Sequence, residues 1–219
     1  MTDSYRRFAG LAAVATAVAG VVFTVTFAVA VREGERWALR ASAITLLVGA
    51  ITAIPVAVAL AEQLGRREPQ FAKVALVLAV VADAGAALHG AWDTAVLAHP
   101  VRHADVPSYT DPRGFATFAL TAAALVVFGW LVVRGSEIPR FVGQLALLAA
   151  ALLLVVYFGR LIVLNPKRPV IKWVAVVSGL VVSPAFYLAY ARSLLGPRDG
   201  RGRAATAPTA TRTDEAAVR

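Results

Sequence analysis

The stretch FVGQLALLAAALLLVVYFGRLIVL, residues Phe141–Leu164, decides the fold class of this chain. It is apolar at almost every position, and Arg160 is its only charged residue. An α-helix of about 20 apolar residues spans the hydrocarbon core of a bilayer, whereas the strands of membrane barrels are about 10 residues long and alternate in polarity. The stretch therefore predicts a transmembrane helix.

The same pattern recurs along the 219-residue chain, of which 59% is hydrophobic and 16% is charged. Soluble domains carry about 25% charged residues, so the composition favours an all-α, polytopic transmembrane helical bundle. Together with Phe141–Leu164, six runs are long enough to cross a membrane. The other five are Phe8–Val31, Leu39–Leu60, Phe71–Leu97, Phe115–Val133 and Trp173–Leu194.

The chain divides into two regions. Residues 1–195 form the six-span transmembrane domain, and residues 196–219 form a disordered basic tail, because Gly, Pro, Ala, Thr and Arg dominate there and cannot build a core. The basic start SYRRF and the small residues at 28–31 leave a cleaved signal peptide open for the first span. Its apolar run exceeds the about 7–15 residues of such peptides, which favours a retained helix.

Lys and Arg are distributed unevenly between the two sides of the predicted bundle. With six spans, the side that holds both termini carries the larger share, so the positive-inside rule predicts cytoplasmic termini in a bacterial inner membrane. This distribution also accounts for the net charge of +9, and we expect the lipid bilayer rather than nucleic acid as the partner. The oligomeric state is left open.

Several chemistries are absent from the sequence. The chain has no cysteine, which excludes disulfides, thiol nucleophiles, cysteine-ligated zinc and iron–sulfur clusters. No Gly-rich phosphate loop and no Ser/His/Asp triad motif stands out. We therefore expect no cofactor, and the sequence favours a protein that is not an enzyme.

Asp83, His89 and Asp93 of the third span and Arg160 of the fifth predict an intramembrane polar pocket. A charged side chain costs about 2.5–3.5 kcal/mol at the centre of a membrane helix, so each should have a partner. His89 and Asp93 are four residues apart and share a helical face, while Asp83 lies further round the helix. Asp93 and Arg160 fall at matching depth, which predicts an ion pair; the alternative is that Arg160 reaches the headgroups.

The segment between the third and fourth spans is the longest connection and is predicted to face outward. In HPVRH, His99 and His103 have the i, i+4 spacing of a zinc site, but Pro100 disfavours a helix at His99 and no supporting Glu follows. We therefore expect no metal. An outer vestibule above the pocket would be rimmed by Tyr109, Asp111 and Arg113.

Two prolines lie within spans. Pro55 in the second span and Pro184 in the sixth each remove a backbone donor, which predicts helix kinks. Such prolines are common in membrane helices for structural reasons, and broken helices that line a transport site are the alternative. In the third span, the spacing of Ala86 and Gly90 predicts close packing against a neighbouring helix.

The segments ALHGAWDTAVLAHP, DPRGFATFAL and YFGRLIVLNPKRPVIKWVAVVSGLVVSPAFYLAYARSLL resemble a family of six-span bacterial integral membrane proteins that contain a domain of unknown function. The likeness covers most of residues 8–195. It implies six spans and assigns no activity.

Three functions remain open at this stage. The leading hypothesis is a non-enzymatic membrane protein whose outward-facing polar pocket binds a small molecule or lipid, or that serves as an accessory subunit. The first alternative is a proton-coupled transporter that uses Asp83, which predicts a water-accessible cavity at that residue. The second is a membrane hydrolase, which predicts that His89, His99 and His103 converge on one point.

Overall fold

The computed structural model describes residues 1–27, 35–98, 112–163 and 169–196, and these residues form helices and no strand. The α-helices are α1 (Asp3–Val25), α2 (Arg36–Leu64), α3 (Pro69–Ala98), α4 (Pro112–Arg134), α5 (Arg140–Val163), α6 (Pro169–Val177) and α7 (Ser183–Leu195). A π-helical turn, Ser178–Val182, joins α6 to α7, and the three together form the sixth span, Pro169–Leu195.

Six described helical segments are long and apolar enough to cross a membrane, which confirms the all-α, six-span fold predicted from the sequence. Their outer surfaces are apolar: Leu11, Val77 and Leu88 are 63%, 61% and 71% exposed. In water such a surface would be costly, whereas lipid tails cover it without a penalty. The bundle is therefore built for a bilayer.

The helices form a ring in which each span packs against its neighbours in the chain. α1 contacts α2, α2 contacts α3, and so on to the sixth span, and the contact between α7 and α1 closes the ring. Because the spans alternate in direction, α1 begins and α7 ends on the same side, which we call the terminal face. The opposite face is the side at which α1 ends and α2 begins.

Packing differs between the two halves of the bundle. The continuous hydrophobic core lies in the half next to the terminal face and contains the large side chains Val56, Leu60, Leu64, Phe128, Leu131, Val132, Val142, Phe186, Tyr190 and Leu194. In the half next to the opposite face, the buried residues of α1, α2 and α3 are small: Ala17, Ala19, Thr24, Ala38, Ser42, Ala43, Ala82 and Ala86. Large side chains fill the half next to the terminal face, while along α1, α2 and α3 small ones leave space in the other half.

The contact between α2 and α3 is closest at Gly90. A Cβ atom added there would lie 2.7 Å from the backbone nitrogen of Leu47 and 2.8 Å from the carbonyl oxygen of Ala43. The close packing that the Ala86–Gly90 spacing predicts is therefore confirmed, because only a residue without a side chain fits between the two backbones.

The two intramembrane prolines have different local structures. Pro55 lies inside the continuous helix α2, and its carbonyl oxygen accepts a 3.2 Å hydrogen bond from the Tyr5 hydroxyl of α1. Pro184 is the second residue of α7 and lies two residues after the end of the π-helical turn Ser178–Val182, where the α-helical hydrogen-bond pattern is interrupted. A proline at this position lacks the amide donor that a regular helix would use. The kink at Pro55 stays a prediction.

Candidate functional site

A cavity of about 170 Å³ lies inside the ring between α1, α2, α3 and α7. Asp83 lines it from the middle of α3, at a depth close to the centre of the bundle. The other polar residues of the lining are Thr16, Thr45, Ser183 and Tyr187. The remaining walls are made of Ala17, Gly20, Phe23, Leu46, Gly49, Ala50, Ala53, Ala86 and Pro184.

The space exists because α3 and α7 lie on different sides of the ring. No described residue of α3 comes within 8 Å, between Cα atoms, of a described residue of α7. The helices between them present mostly Gly and Ala to the interior, such as Gly20 of α1 and Gly49 of α2. Small side chains cannot reach across this gap, so a cavity is left beside Asp83.

Among the described residues that line the cavity, Asp83 is the only one with a formal charge. Its side chain is half-buried, and it makes no hydrogen bond or ion pair with any other described residue. Tyr187 of α7 contributes its ring to the same cavity. A carboxyl group at this depth to which the described residues supply no hydrogen bond or ion pair is unusual, because polar groups in a low-dielectric interior are normally paired.

The threonine hydroxyls at the cavity already use their protons. The Thr45 hydroxyl donates to the carbonyl oxygen of Ala41 at 2.7 Å. The Thr16 hydroxyl donates to the carbonyl oxygen of Ala12 in its own helix at 2.9 Å, and its oxygen also lies 2.9 Å from the hydroxyl oxygen of Thr52 in α2. A hydroxyl has a single hydrogen and two lone pairs. Toward the cavity these groups therefore offer acceptors rather than donors.

His89 and Asp93 lie on one face of α3, as the i, i+4 spacing predicts, with His89 Nε2 and Asp93 Oδ2 3.5 Å apart. Neither residue is among those that line the cavity at Asp83. The structure thus brings Asp83 together with hydroxyls of α1, α2 and α7, and not with His89 and Asp93.

Several predicted site residues fall outside the described part of the chain. The side chain of Arg160 is one of them, so its ion pair with Asp93 stays a prediction. The proposed vestibule also lies outside it, namely Tyr109, Asp111 and the side chain of Arg113. The same holds for His99 and His103, and with them for the histidine cluster of the hydrolase hypothesis. Among the described residues, no group of three His, Asp or Glu side chains is arranged to hold a metal ion.

Sequence reasoning identified Asp83 but missed the hydroxyls and the ring that accompany it. Thr16, Thr45 and Ser183 gave no signal because Thr and Ser in membrane helices ordinarily bond to the carbonyl one turn earlier. Tyr187 sits in an apolar run of the sixth span. The one available hint was Pro184, whose neighbours Ser183 and Tyr187 are both in the cavity wall.

Comparison of the chain with known protein families, with curated proteins and with solved structures finds no match. The resemblance to a six-span bacterial family therefore stays a prediction. Function must be argued from the site itself.

Proposed function

We propose that this protein binds a small molecule within the membrane, in the cavity at Asp83. The observation that carries the proposal is a carboxyl group at mid-depth that faces a cavity and has no hydrogen-bond or ion-pair partner among the described residues. Ionisable groups inside membrane spans are costly and typically mark binding or translocation sites. A ligand in the cavity would supply the missing partner.

A cavity-filling variant tests the proposal. Gly20 lines the cavity, and a Cβ atom added there meets no other atom within 4 Å, so Gly20→Leu should enter the cavity without displacing a neighbour. We expect a small polar ligand to raise the melting temperature of the purified wild-type protein and to leave that of Gly20→Leu unchanged.

The matched control is Val18→Leu on the same helix, because Val18 is 58% exposed on the outer surface. This variant should keep the ligand response of the wild type. If a panel of polar molecules of about six to eight non-hydrogen atoms shifts wild type and Gly20→Leu equally, or shifts neither, the proposal is wrong.

The second candidate function is proton-coupled transport of the bound molecule. The observation that favours it is the asymmetry of packing: large side chains close the half next to the terminal face, whereas the buried residues of α1 to α3 in the other half are small. A transporter held with one side closed has this form, and Asp83 at the boundary would carry the proton. The π-helical turn before Pro184 supplies a place at which the sixth span can bend.

A measurement of ligand flux into liposomes distinguishes transport from binding alone. Protein reconstituted in liposomes should move a bound ligand when a pH gradient is imposed, and Asp83→Asn should abolish the coupling. Binding without any flux in wild-type liposomes would leave the first proposal standing and reject the second.

Access to the cavity is measurable because the chain has no cysteine. Ser183→Cys introduces one thiol into the cavity wall with a near-isosteric change. We expect a membrane-impermeant thiol reagent to label it in intact cells, and an excess of ligand to slow the labelling. Lack of labelling from both sides of the membrane would argue against an aqueous path to Asp83.

We further propose that the chain resides in a bacterial inner membrane with both termini in the cytoplasm. The support is the excess of Lys and Arg on the terminal face. Reporters that are active only in the cytoplasm should give signal when fused at Glu68, at Glu137 and at the tail. A periplasmic signal at the tail would contradict this orientation, and a mature N-terminus at Val31 would contradict a retained first span.

A further inference from the structure

The chemistry of the cavity wall restricts what the cavity can bind. We infer that the ligand is a small organic ammonium ion that carries N–H donors; this inference rests on the binding function proposed above. Asp83 is the only formally charged group among the described residues of the lining, and none of those residues is a Lys or an Arg. In a low-dielectric site an unpaired carboxylate is costly, and a bound cation offsets that cost where a neutral ligand does not.

The hydroxyls point to the same class of ligand. Thr16 and Thr45 use their hydrogens on acceptors within α1 and α2, so they present lone pairs to the cavity. With the carboxylate oxygens of Asp83, they make the wall formed by α1, α2 and α3 rich in acceptors, whereas Ser183 and Tyr187 of α7 each add a hydroxyl that can also donate. A ligand that itself only accepts would leave these groups unsatisfied, whereas a primary ammonium group donates three hydrogen bonds.

The volume of the cavity and the apolar composition of its wall fit a small organic cation better than a bare metal ion. The cavity of about 170 Å³ is close to the about 150 Å³ of an engineered cavity that holds benzene, so it suits about six or seven non-hydrogen atoms. Most of its wall is carbon, including the ring of Phe23 and the side chain of Leu46. Hard metal cations need about six oxygen ligands, whereas an ammonium ion with a small hydrocarbon body uses both the carboxylate and the apolar wall.

The aromatic rings strengthen the case for a cation. Phe23 of α1 and Tyr187 of α7 both line the cavity. One face of the Phe23 ring is stacked on Phe27, and an aromatic face turned toward a bound ammonium group would attract it. A neutral alcohol gains nothing comparable from these rings.

The test uses the purified full-length protein and isothermal titration at pH 7.5, where a primary amine with a pKa near that of lysine is protonated. The probe is cyclopentylammonium, which has six non-hydrogen atoms. Cyclopentanol is its neutral counterpart of equal size, tetramethylammonium is a cation without N–H donors, and sodium chloride tests an inorganic cation. We expect cyclopentylammonium to bind at least tenfold more tightly than each of the others.

Variants tie the binding to the cavity. Asp83→Asn is nearly isosteric and should weaken cyclopentylammonium at least tenfold, whereas Glu68→Gln, in the turn between α2 and α3, should leave it unchanged. Thr45→Val keeps the shape of the side chain but removes its acceptor, so it should weaken the ammonium several-fold and leave cyclopentanol unaffected. If Asp83→Asn fails to fold, the loss of cyclopentylammonium binding in Thr45→Val still tests whether the ammonium ion binds in this cavity.

Each outcome decides. The inference is overturned if cyclopentanol or tetramethylammonium binds as tightly as cyclopentylammonium, or if sodium binds more tightly. It is also overturned if neither Asp83→Asn nor Thr45→Val changes the binding of cyclopentylammonium. If all four probes fail to bind while the Gly20→Leu comparison still reveals a ligand, the inference is wrong and the proposed function stands. If the comparison of wild type with Gly20→Leu also reveals no ligand, both the inference and the proposed function are wrong.

Discussion

Gly90→Ala adds a single methyl group and should destabilise the protein, because that group has no room between α2 and α3. The added Cβ atom would lie 2.7 Å from the backbone nitrogen of Leu47, 2.8 Å from the carbonyl oxygen of Ala43 and 3.1 Å from the Cα atom of Leu47. Carbon atoms in contact are normally about 3.5–4.0 Å apart. All three neighbours are backbone atoms, so no rotamer change relieves the clash.

The magnitude follows from the shift that the helices must make. To restore ordinary contacts, α2 and α3 must separate by roughly 1 Å at this crossing, which also opens the contacts on either side of it. Overpacking of this kind costs about 1–3 kcal/mol, and an immobile backbone favours the upper part of that range. A methyl group gains little in return, because the alternative surroundings in the membrane are also apolar.

Gly20→Ala is the matched control. The same change on α1 adds a Cβ atom with no neighbour within 4 Å, so only the helix propensity changes, in favour of alanine by up to about 1 kcal/mol. Unfolding in mixed detergent micelles, followed by tryptophan fluorescence, should place Gly90→Ala below the wild type and Gly20→Ala level with it or above it. If Gly90→Ala unfolds at the same detergent composition as wild type, the close approach of the two backbones is not present in the protein.

Three further changes test the packing. Tyr190→Phe should raise the free energy of unfolding by about 1 kcal/mol, and with it the melting temperature, because the Tyr190 hydroxyl is buried without a hydrogen-bond partner among the described residues. A lower melting temperature would show that the hydroxyl has a partner. Gly179→Val should reduce the yield of folded protein, since its Cβ atom would collide with the side chain of Thr24, and combination with Thr24→Ala should restore part of that yield. A double-mutant cycle of Thr16→Val and Thr52→Val should give a coupling of about 0.6 kcal/mol for the hydrogen bond between α1 and α2, and zero coupling would rule that bond out.

The fold class could be predicted from the sequence because hydropathy is a local property. Each span is recognised from about 20 consecutive residues, and the helix bounds differ from the predicted ones mainly at the ends: α2 continues to Leu64 and α3 begins at Pro69. The contact between His89 and Asp93 could be predicted for the same reason, since both lie on one helix and the helical repeat fixes their relation.

The cavity could not be predicted because it depends on which helices meet. Thr16 and Ser183 are far apart in the chain and line the same cavity only because α7 closes the ring against α1. No local pattern records that closure in spans that are apolar on every side. Asp83 could be singled out by the cost of its charge. The sequence offered His89, Asp93 and Arg160 as companions because they are ionisable and lie within the third and fifth spans.

The position of Asp83 between the two halves of the bundle bears on how a ligand could leave. On the side of the terminal face, Tyr190 and Leu194 of α7 pack into the continuous core that also contains Phe128 of α4. Passage that way requires α7 to move away from large side chains, and the π-helical turn at residues 178–182 lies directly before that part of the span. On the other side, the buried residues of α1, α2 and α3 are small, so less packing must be given up. Under the proposed function, a ligand at Asp83 would meet its lower barrier along α1, α2 and α3 toward the opposite face, and transport toward the terminal face would depend on bending at this turn.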